Sequence, residues 1–295
     1  MVLCPSLNGF GHIRRMIALK LGLNLLGHQA DFLVTDRLTV LQRELINEAG
    51  VTPLILDSSF YSVSIFEEGP YVGKAKADCI PNLSSLDYLN YDCVVADTVT
   101  WPLLINVPSI FVGQFTWSMY FNHSEANEIL DSFQSIIGID LFSWPLLKAH
   151  SKYKPLPVID YWNFRAGPVK LLDDIGLATN GSNPEPLAVD RNLLVPVAGI
   201  PEFLKAYGWL PKYIVMRAGL GNVMEALAAG VVPILTSDDG LDIVLNKRVL
   251  LANRYALDFS DVDIDSKRVL SRYRSYDGPV INQVEFAKVV VEGMC

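Results

Sequence analysis

The stretch Val2-Leu3-Cys4-Pro5-Ser6-Leu7-Asn8-Gly9-Phe10-Gly11-His12-Ile13-Arg14-Arg15 decides the fold. A short apolar run leads into a small, glycine-bearing turn, and beyond it Ile17, Leu21 and Leu25 recur at helical spacing on one face. This is the pattern of a β-strand, a glycine loop and a helix over 13–26 with Gly27 at its end, the first half of a βα unit. A loop of this kind lets a ligand approach the exposed N–H groups at the start of a helix.

The same alternation continues along the chain. Further strands are expected at 30–35, 52–56, 93–96 and 109–112, with 58–85 as a long loop region on the acceptor side of any site. Beyond Trp144, the residues Lys152, Lys154, Pro155 and Pro157 mark a polar connector. The βα rhythm then returns, with strands at 193–197, 213–216 and 233–236, helices at 222–229 and 241–252, and a terminal helix at 281–294. With 295 residues the chain exceeds one ordinary core. The expectation is an α/β protein of two Rossmann-like domains, residues 1–150 and an abbreviated 166–295, joined by a linker at 151–165.

Composition narrows the function classes. Hydrophobic residues make up 51% and charged residues 19% of a chain with net charge −8, which excludes a disordered chain and argues against nucleic-acid binding. Cys4, Cys79, Cys93 and Cys295 are scattered without metal spacing and read as reduced thiols of a cytoplasmic protein. No signal-peptide pattern precedes the glycine loop. Residues 98–121 carry no charge and match the roughly 20-residue length of a membrane span, but Pro102, Asn106, Pro108 and Gln114 divide them.

Two constellations carry chemistry. His12 falls in the first turn after the glycine loop, where the positive helix end favours a neutral imidazole able to act as a general base. Asp97 ends the apolar run Cys93-Val94-Val95-Ala96, at the same carboxyl edge, and is the candidate to orient His12. The plainer readings are a His12 that contacts phosphate or caps the helix, and an Asp97 that caps the next helix. The second constellation, Arg217-Ala218-Gly219-Leu220-Gly221-Asn222 with Glu225, follows the run at 213–216. It reads as a diphosphate site at a helix N-terminus, or, for Asn222 and Glu225 alone, as a capping box. No paired-carboxylate motif suggests a metal, and no cofactor is expected.

These segments resemble the GT-B glycosyltransferases, in particular relatives of the peptidoglycan GlcNAc transferase and the UDP-glycosyltransferases. The likeness rests on Gly9-x-Gly11-His12-x-x-Arg15, on Asp92 to Asp97 with Trp101, and on Arg217-Ala218-Gly219 with Glu225, Gly230 and Pro233. Asp242 and Asn246 match the D-Q-x-x-N pattern, and Trp209-Leu210-Pro211-Lys212 resembles W-x-P-Q. The resemblance implies two domains facing across a cleft and an inverting, metal-independent transfer from a UDP-sugar to an acceptor hydroxyl, with His12 and Asp97 as a dyad. It puts Gly11, Trp209, Arg217, Gly219, Gly221, Asn222, Glu225, Asp242 and Asn246 on the donor, with Glu225 on the ribose and Asp242 on the sugar. Ile243 replaces the family's Gln, and Arg217 follows Lys212 almost at once. The rival readings are a nucleotide-sugar hydrolase with the same opening motif and a non-catalytic sugar-nucleotide-binding subunit. The acceptor and the oligomeric state are not legible, and a lipid-linked acceptor would require peripheral contact with a membrane.

Overall fold

The computed structural model describes residues 1–7, 9–59, 80–82, 90–105, 107–116, 123–167, 169–178, 195–197, 199–236, 241–264 and 266–294. The chain divides into two compact units, Met1–Leu156 together with Gln283–Cys295, and Pro157–Asn282.

In the first unit the strands are β1 (Val2–Pro5), β2 (Asp31–Thr35), β3 (Pro53–Leu56), β4 (Val94–Asp97), β5 (Ser109–Val112), β6 (Ser135–Ile139) and β7 (Tyr153–Leu156). They form one parallel sheet in the order β3-β2-β1-β4-β5-β6-β7. The inner strands β1, β4 and β5 are buried at every residue, which is why they read as unbroken apolar runs instead of alternating. The helices are α1 (Phe10–Leu25), α2 (Val40–Glu48) and α3 (His123–Asp131). Thr39 and Gln42 close a reciprocal capping box at the start of α2. Gln42, itself buried, also donates through Nε2 to the Leu7 carbonyl at 3.0 Å, which tethers the glycine loop to α2.

The second unit holds β8 (Leu171–Ala178), β9 (Val195–Val197), α4 (Ile200–Tyr207), β10 (Leu210–Met216), α5 (Leu220–Ala229), β11 (Val232–Leu235), α6 (Leu241–Ala252) and β12 (Leu257–Asp258). Its sheet is also parallel, in the order β9-β8-β10-β11-β12. The segments that enter and leave this unit, Val158–Ile159 and Val280–Ile281, pair side by side.

The boundaries differ from 1–150, 151–165 and 166–295. The expected linker contains β7, an edge strand paired with β6. Its Lys154 and Pro155 look like a connector because an edge strand tolerates charge and missing N–H donors. The terminal helix, α7 (Gln283–Glu292), returns to the first unit and packs on α1. Lys154 Nζ and Gln134 Nε2 donate to the Glu292 and Met294 carbonyls at 3.0 and 2.7 Å, satisfying the helix's last acceptor and one just beyond it. Residues 98–121 fold as a 3-10 turn at Trp101–Leu104 and strand β5, with 106 and 117–121 outside the described residues. No described helix is long and apolar enough to cross a membrane. Most of the expected 58–85 loop, the start of the 193–197 strand, Cys79 and Cys295 also lie outside the described residues.

The α1–α7 contact depends on Gly22. A Cβ there would run into the Gln283 carbonyl oxygen and stand 3.0 Å from the Ala287 Cβ. Alanine normally stabilises a helix interior over glycine by about 1 kcal/mol, but here overpacking against fixed backbone costs about 1–3 kcal/mol. Gly22→Ala is therefore expected to lower the midpoint of urea unfolding of the first unit. An unchanged or raised midpoint would show that the helices do not meet this closely.

Candidate active site

In the first sheet the chain steps outward from β1 to β3 and then returns to the other side of β1 as β4. The carboxyl ends of β1 and β4 flank that reversal, the place where open α/β sheets bind ligands. Both ends carry functional side chains. The glycine loop leaves β1, Gly9 caps α1 without a side-chain bond, and α1 begins at Phe10, three residues earlier than the apolar periodicity indicates. His12 is consequently the third helical residue. Asp97 is the last residue of β4, in register with Pro5 of β1.

The two expected partners meet. His12 Nδ1 lies 2.9 Å from Asp97 Oδ1, with His12 20% exposed and Asp97 fully buried. Asp97 does not cap the following 3-10 turn, whose N-cap is Thr100. A third residue joins them, one the sequence reading quoted but gave no task. Arg15, only 2% exposed, donates from Nε to Asp97 Oδ2 at 2.8 Å and from Nη2 to Oδ1 at 2.5 Å. His12 and Arg15 stand three apart on one helix, the spacing that brings side chains together. That spacing was the available signal. Thr98 is the fourth member, its hydroxyl donating to Asp97 Oδ1 at 2.9 Å. Its φ of 66° puts a β-branched residue in left-handed backbone, a strain of about 1–3 kcal/mol. The Thr98 N–H bond to Val112 at 3.1 Å helps to hold it there.

Burial works against ionisation of Asp97, but Arg15 and then His12 outweigh it and hold the carboxyl below its ordinary value. An ionised Asp97 accepts hydrogen bonds only, so the His12 nitrogen that faces it, Nδ1, carries a proton, and in a neutral imidazole the lone pair is then on Nε2. The 3.2 Å approach of Arg15 Nη2 to His12 Nδ1 is then a near contact of two donors sharing one oxygen. Cys4 and Cys93 are buried in β1 and just before β4, and burial pushes both thiols up, Cys93 to about 12. Neither is a nucleophile at neutral pH.

In the second sheet the order reverses between β8 and β10, and Arg217-Ala218-Gly219 leaves the carboxyl end of β10. Gly219 caps α5 at φ −66° with no side-chain bond, so no Asn222–Glu225 capping box exists. The N–H groups of Leu220, Gly221 and Asn222 head the helix, before its first backbone bond from Val223 to Gly219. A Cβ at Gly219, or at Gly9 in the first unit, would meet nothing within 4 Å, and neither has a left-handed φ. Each glycine leaves open space beside a helix start. Asn246 on α6 is buried, and its Nδ2 donates to the Ala218 carbonyl at 2.9 Å, so it holds the loop in place. Asp242 lies in the first turn of α6 and is partly exposed.

Two residues assigned to the donor have partners within the protein. Trp209 precedes β10 while Arg217 follows it, which separates them by roughly 25 Å of extended strand. Trp209 packs instead on Phe203 and Tyr207, with ring centroids 5.0 and 5.9 Å away. Glu225 lies in the second turn of α5, fully buried, and accepts a hydrogen bond from Trp162 Nε1 at 2.9 Å. Its carboxylate braces the loop that carries Trp162. That loop is ordered by buried Asp160, which accepts from the N–H groups of Trp162, Phe164 and Arg165. Among the described residues no group of three His, Cys, Asp or Glu side chains could hold a metal ion.

Comparison with known proteins follows from this geometry. No family model matches the chain, and no curated protein matches it in sequence. Solved structures do match over nearly the whole length. The glycosyltransferase of kitacinnamycin superposes with a TM-score of 0.57 at 12% identity, covering 99% of this chain and 98% of that one. The fold is that of the GT-B glycosyltransferases. The glycosyltransferase VinC, solved with dTDP, gives a TM-score of 0.56 at 12% identity and 99% coverage of both chains. MurG of Acinetobacter baumannii gives 0.54 at 13% identity, covering 99% of this chain and 91% of that one.

Two outcomes test this geometry. Asp97 is depressed in the folded state, so its stabilising contribution is complete above the ordinary carboxylate value of about 4 and is lost as pH falls through the folded value. Asp97→Asn should be less stable than wild type at pH 7 by urea unfolding, and the gap should narrow as pH drops below about 4. A gap independent of pH would mean that the carboxylate is not ionised in the fold. Trp209→Ala should lower the urea-unfolding midpoint of the second unit, and calorimetry with UDP should not distinguish it from wild type. A large loss of affinity would return Trp209 to the donor side.

Proposed function

We propose that the protein is an inverting, metal-independent glycosyltransferase that moves a sugar from a UDP-sugar to an acceptor hydroxyl. The observation that carries this reading is the hydrogen-bonded His12–Asp97 pair at the strand-order reversal of the first sheet. In this mechanism His12 Nε2 takes the proton of the acceptor hydroxyl as its oxygen attacks the anomeric carbon from the face opposite the leaving group. The bond from the anomeric carbon to the diphosphate oxygen breaks, its electron pair leaves with UDP, and the configuration inverts. Asp97 orients His12 and stabilises the imidazolium that forms.

Arg217 and the N–H groups heading α5 supply the countercharge for the departing diphosphate, the task a divalent cation performs elsewhere. Gly219 and Gly221 allow close approach of the phosphates, Asn222 adds a donor, and Asp242 contacts hydroxyls of the sugar. Asn246 acts through the Ala218 carbonyl. A pyrimidine nucleoside diphosphate is supported by structures of the same fold solved with UDP and with dTDP. Such chemistry requires no cofactor, and it suits a cytoplasmic enzyme that meets its acceptor in solution or at a membrane surface.

Wild type and His12→Ala are incubated with a panel of UDP- and dTDP-sugars, with and without acceptor alcohols, and free nucleoside diphosphate is measured. Acceptor-dependent release that falls on the order of 10²–10⁴-fold in His12→Ala is expected. Release of free sugar without acceptor would instead assign His12 to the activation of water, and binding without His12-dependent turnover would sink the catalytic reading.

A further inference from the structure

Arg15 bonds both oxygens of a carboxylate that has no contact with water, and it does so beside the base. A carboxylate removed from solvent needs a positive partner or a proton of its own. Two cationic side chains stand within reach of Asp97, Arg15 on two oxygens and His12 on one. Arg15 is always charged, whereas His12 can supply countercharge only by becoming an imidazolium.

We propose that Arg15 is a positioning residue that supplies the countercharge of Asp97 so that His12 stays neutral, with Nε2 unprotonated and able to accept the acceptor proton. The inference rests on the transferase reading for its purpose but not for its test. The proton count makes the point. With Arg15 in place the three side chains carry +1, −1 and 0, and the proton shared with Asp97 sits on Nδ1. Without Arg15 two arrangements relieve the buried charge. Either His12 takes a second proton and becomes the cation, or Asp97 is protonated and donates to Nδ1, which moves the imidazole proton to Nε2. Both place a proton on Nε2 and remove the base. Thr98, which donates to the same oxygen, offers a hydrogen bond but no charge, and so cannot substitute.

The polar groups facing His12 Nδ1 are Asp97, which accepts from it, and Arg15 and Thr98, which donate to the same Asp97 oxygen and stand 3.2 and 3.4 Å from Nδ1. The measurement is the ¹⁵N chemical shift of the His12 ring nitrogens in histidine-labelled full-length protein at pH 7, with His12→Ala identifying its signals among the four histidines. Wild type should show an unprotonated Nε2, Arg15→Met a protonated one, and Arg15→Lys, which keeps the charge, an unprotonated one again. With a donor and acceptor in hand, Arg15→Met should lose kcat on the order of 10²-fold with KM for the donor unchanged, and Arg15→Lys should recover part of it. If Arg15→Met does not fold, Arg15→Gln, which keeps a donor without the charge, carries the same expectation. A merely structural Arg15 would lower the unfolding midpoint and leave the ring shifts of the folded protein alone. The proposal is overturned by an unprotonated Nε2 in folded Arg15→Met or Arg15→Gln, or by a protonated Nε2 in wild type. Ring shifts that follow the expected pattern in a protein with no transferase activity would uphold the countercharge role and defeat the transferase reading instead.

Discussion

A carboxylate sealed from water at the end of a central strand is the constraint around which the first unit is arranged. Asp97 is tolerable there because four donors converge on its two oxygens, one from His12, two from Arg15 and one from Thr98. That convergence restricts the backbone on both sides. Helix α1 must begin early enough to bring residues 12 and 15 over the end of β4, and Thr98 must adopt a conformation its side chain disfavours. The arrangement is costly locally, with strain at Thr98 offset by the bonds that converge on Asp97.

Both units repeat one local geometry. Each sheet reverses its strand order, and at each reversal one of the flanking strands leads into a helix capped by a glycine with no side-chain partner. Neither glycine is needed for its φ angle, and neither is squeezed by a neighbour. What glycine contributes at both places is vacancy, since any side chain would project into space beside the helix start. The loops are held from behind instead, by Gln42 on the Leu7 carbonyl and by Asn246 on the Ala218 carbonyl.

The inner strands and the pairing of His12 with Asp97 were legible because burial on both faces leaves unbroken apolar runs, one ended by Asp97 and another followed by the glycine loop that leads to His12. The donor side was less legible. Trp209-Leu210-Pro211-Lys212 resembles a donor motif ahead of a strand at 213–216, whereas Leu210–Met216 is one continuous strand that puts Trp209 at the far end. Glu225 has the spacing of a ligand-binding residue, yet its partner, Trp162, is 63 positions away and no local pattern announces it. Arg15 was present in the motif from the start. The role proposed for it depends on a tertiary fact, its bonds to both oxygens of Asp97, 82 positions away.

The return of α7 to α1 has a consequence for how the molecule is made. The first unit is discontinuous in sequence, with the entire second unit placed between β7 and α7. On the ribosome the parallel sheet bearing His12 and Asp97 can assemble early, but the face of α1 around Gly22 waits for partners synthesised 261 positions later, at Gln283. Until then a helix meant to be enclosed exposes apolar surface, and the nascent chain passes through a long interval in which its base site exists before its packing does. The last helix therefore acts as a latch on synthesis, completing the first unit only when the second has already been made.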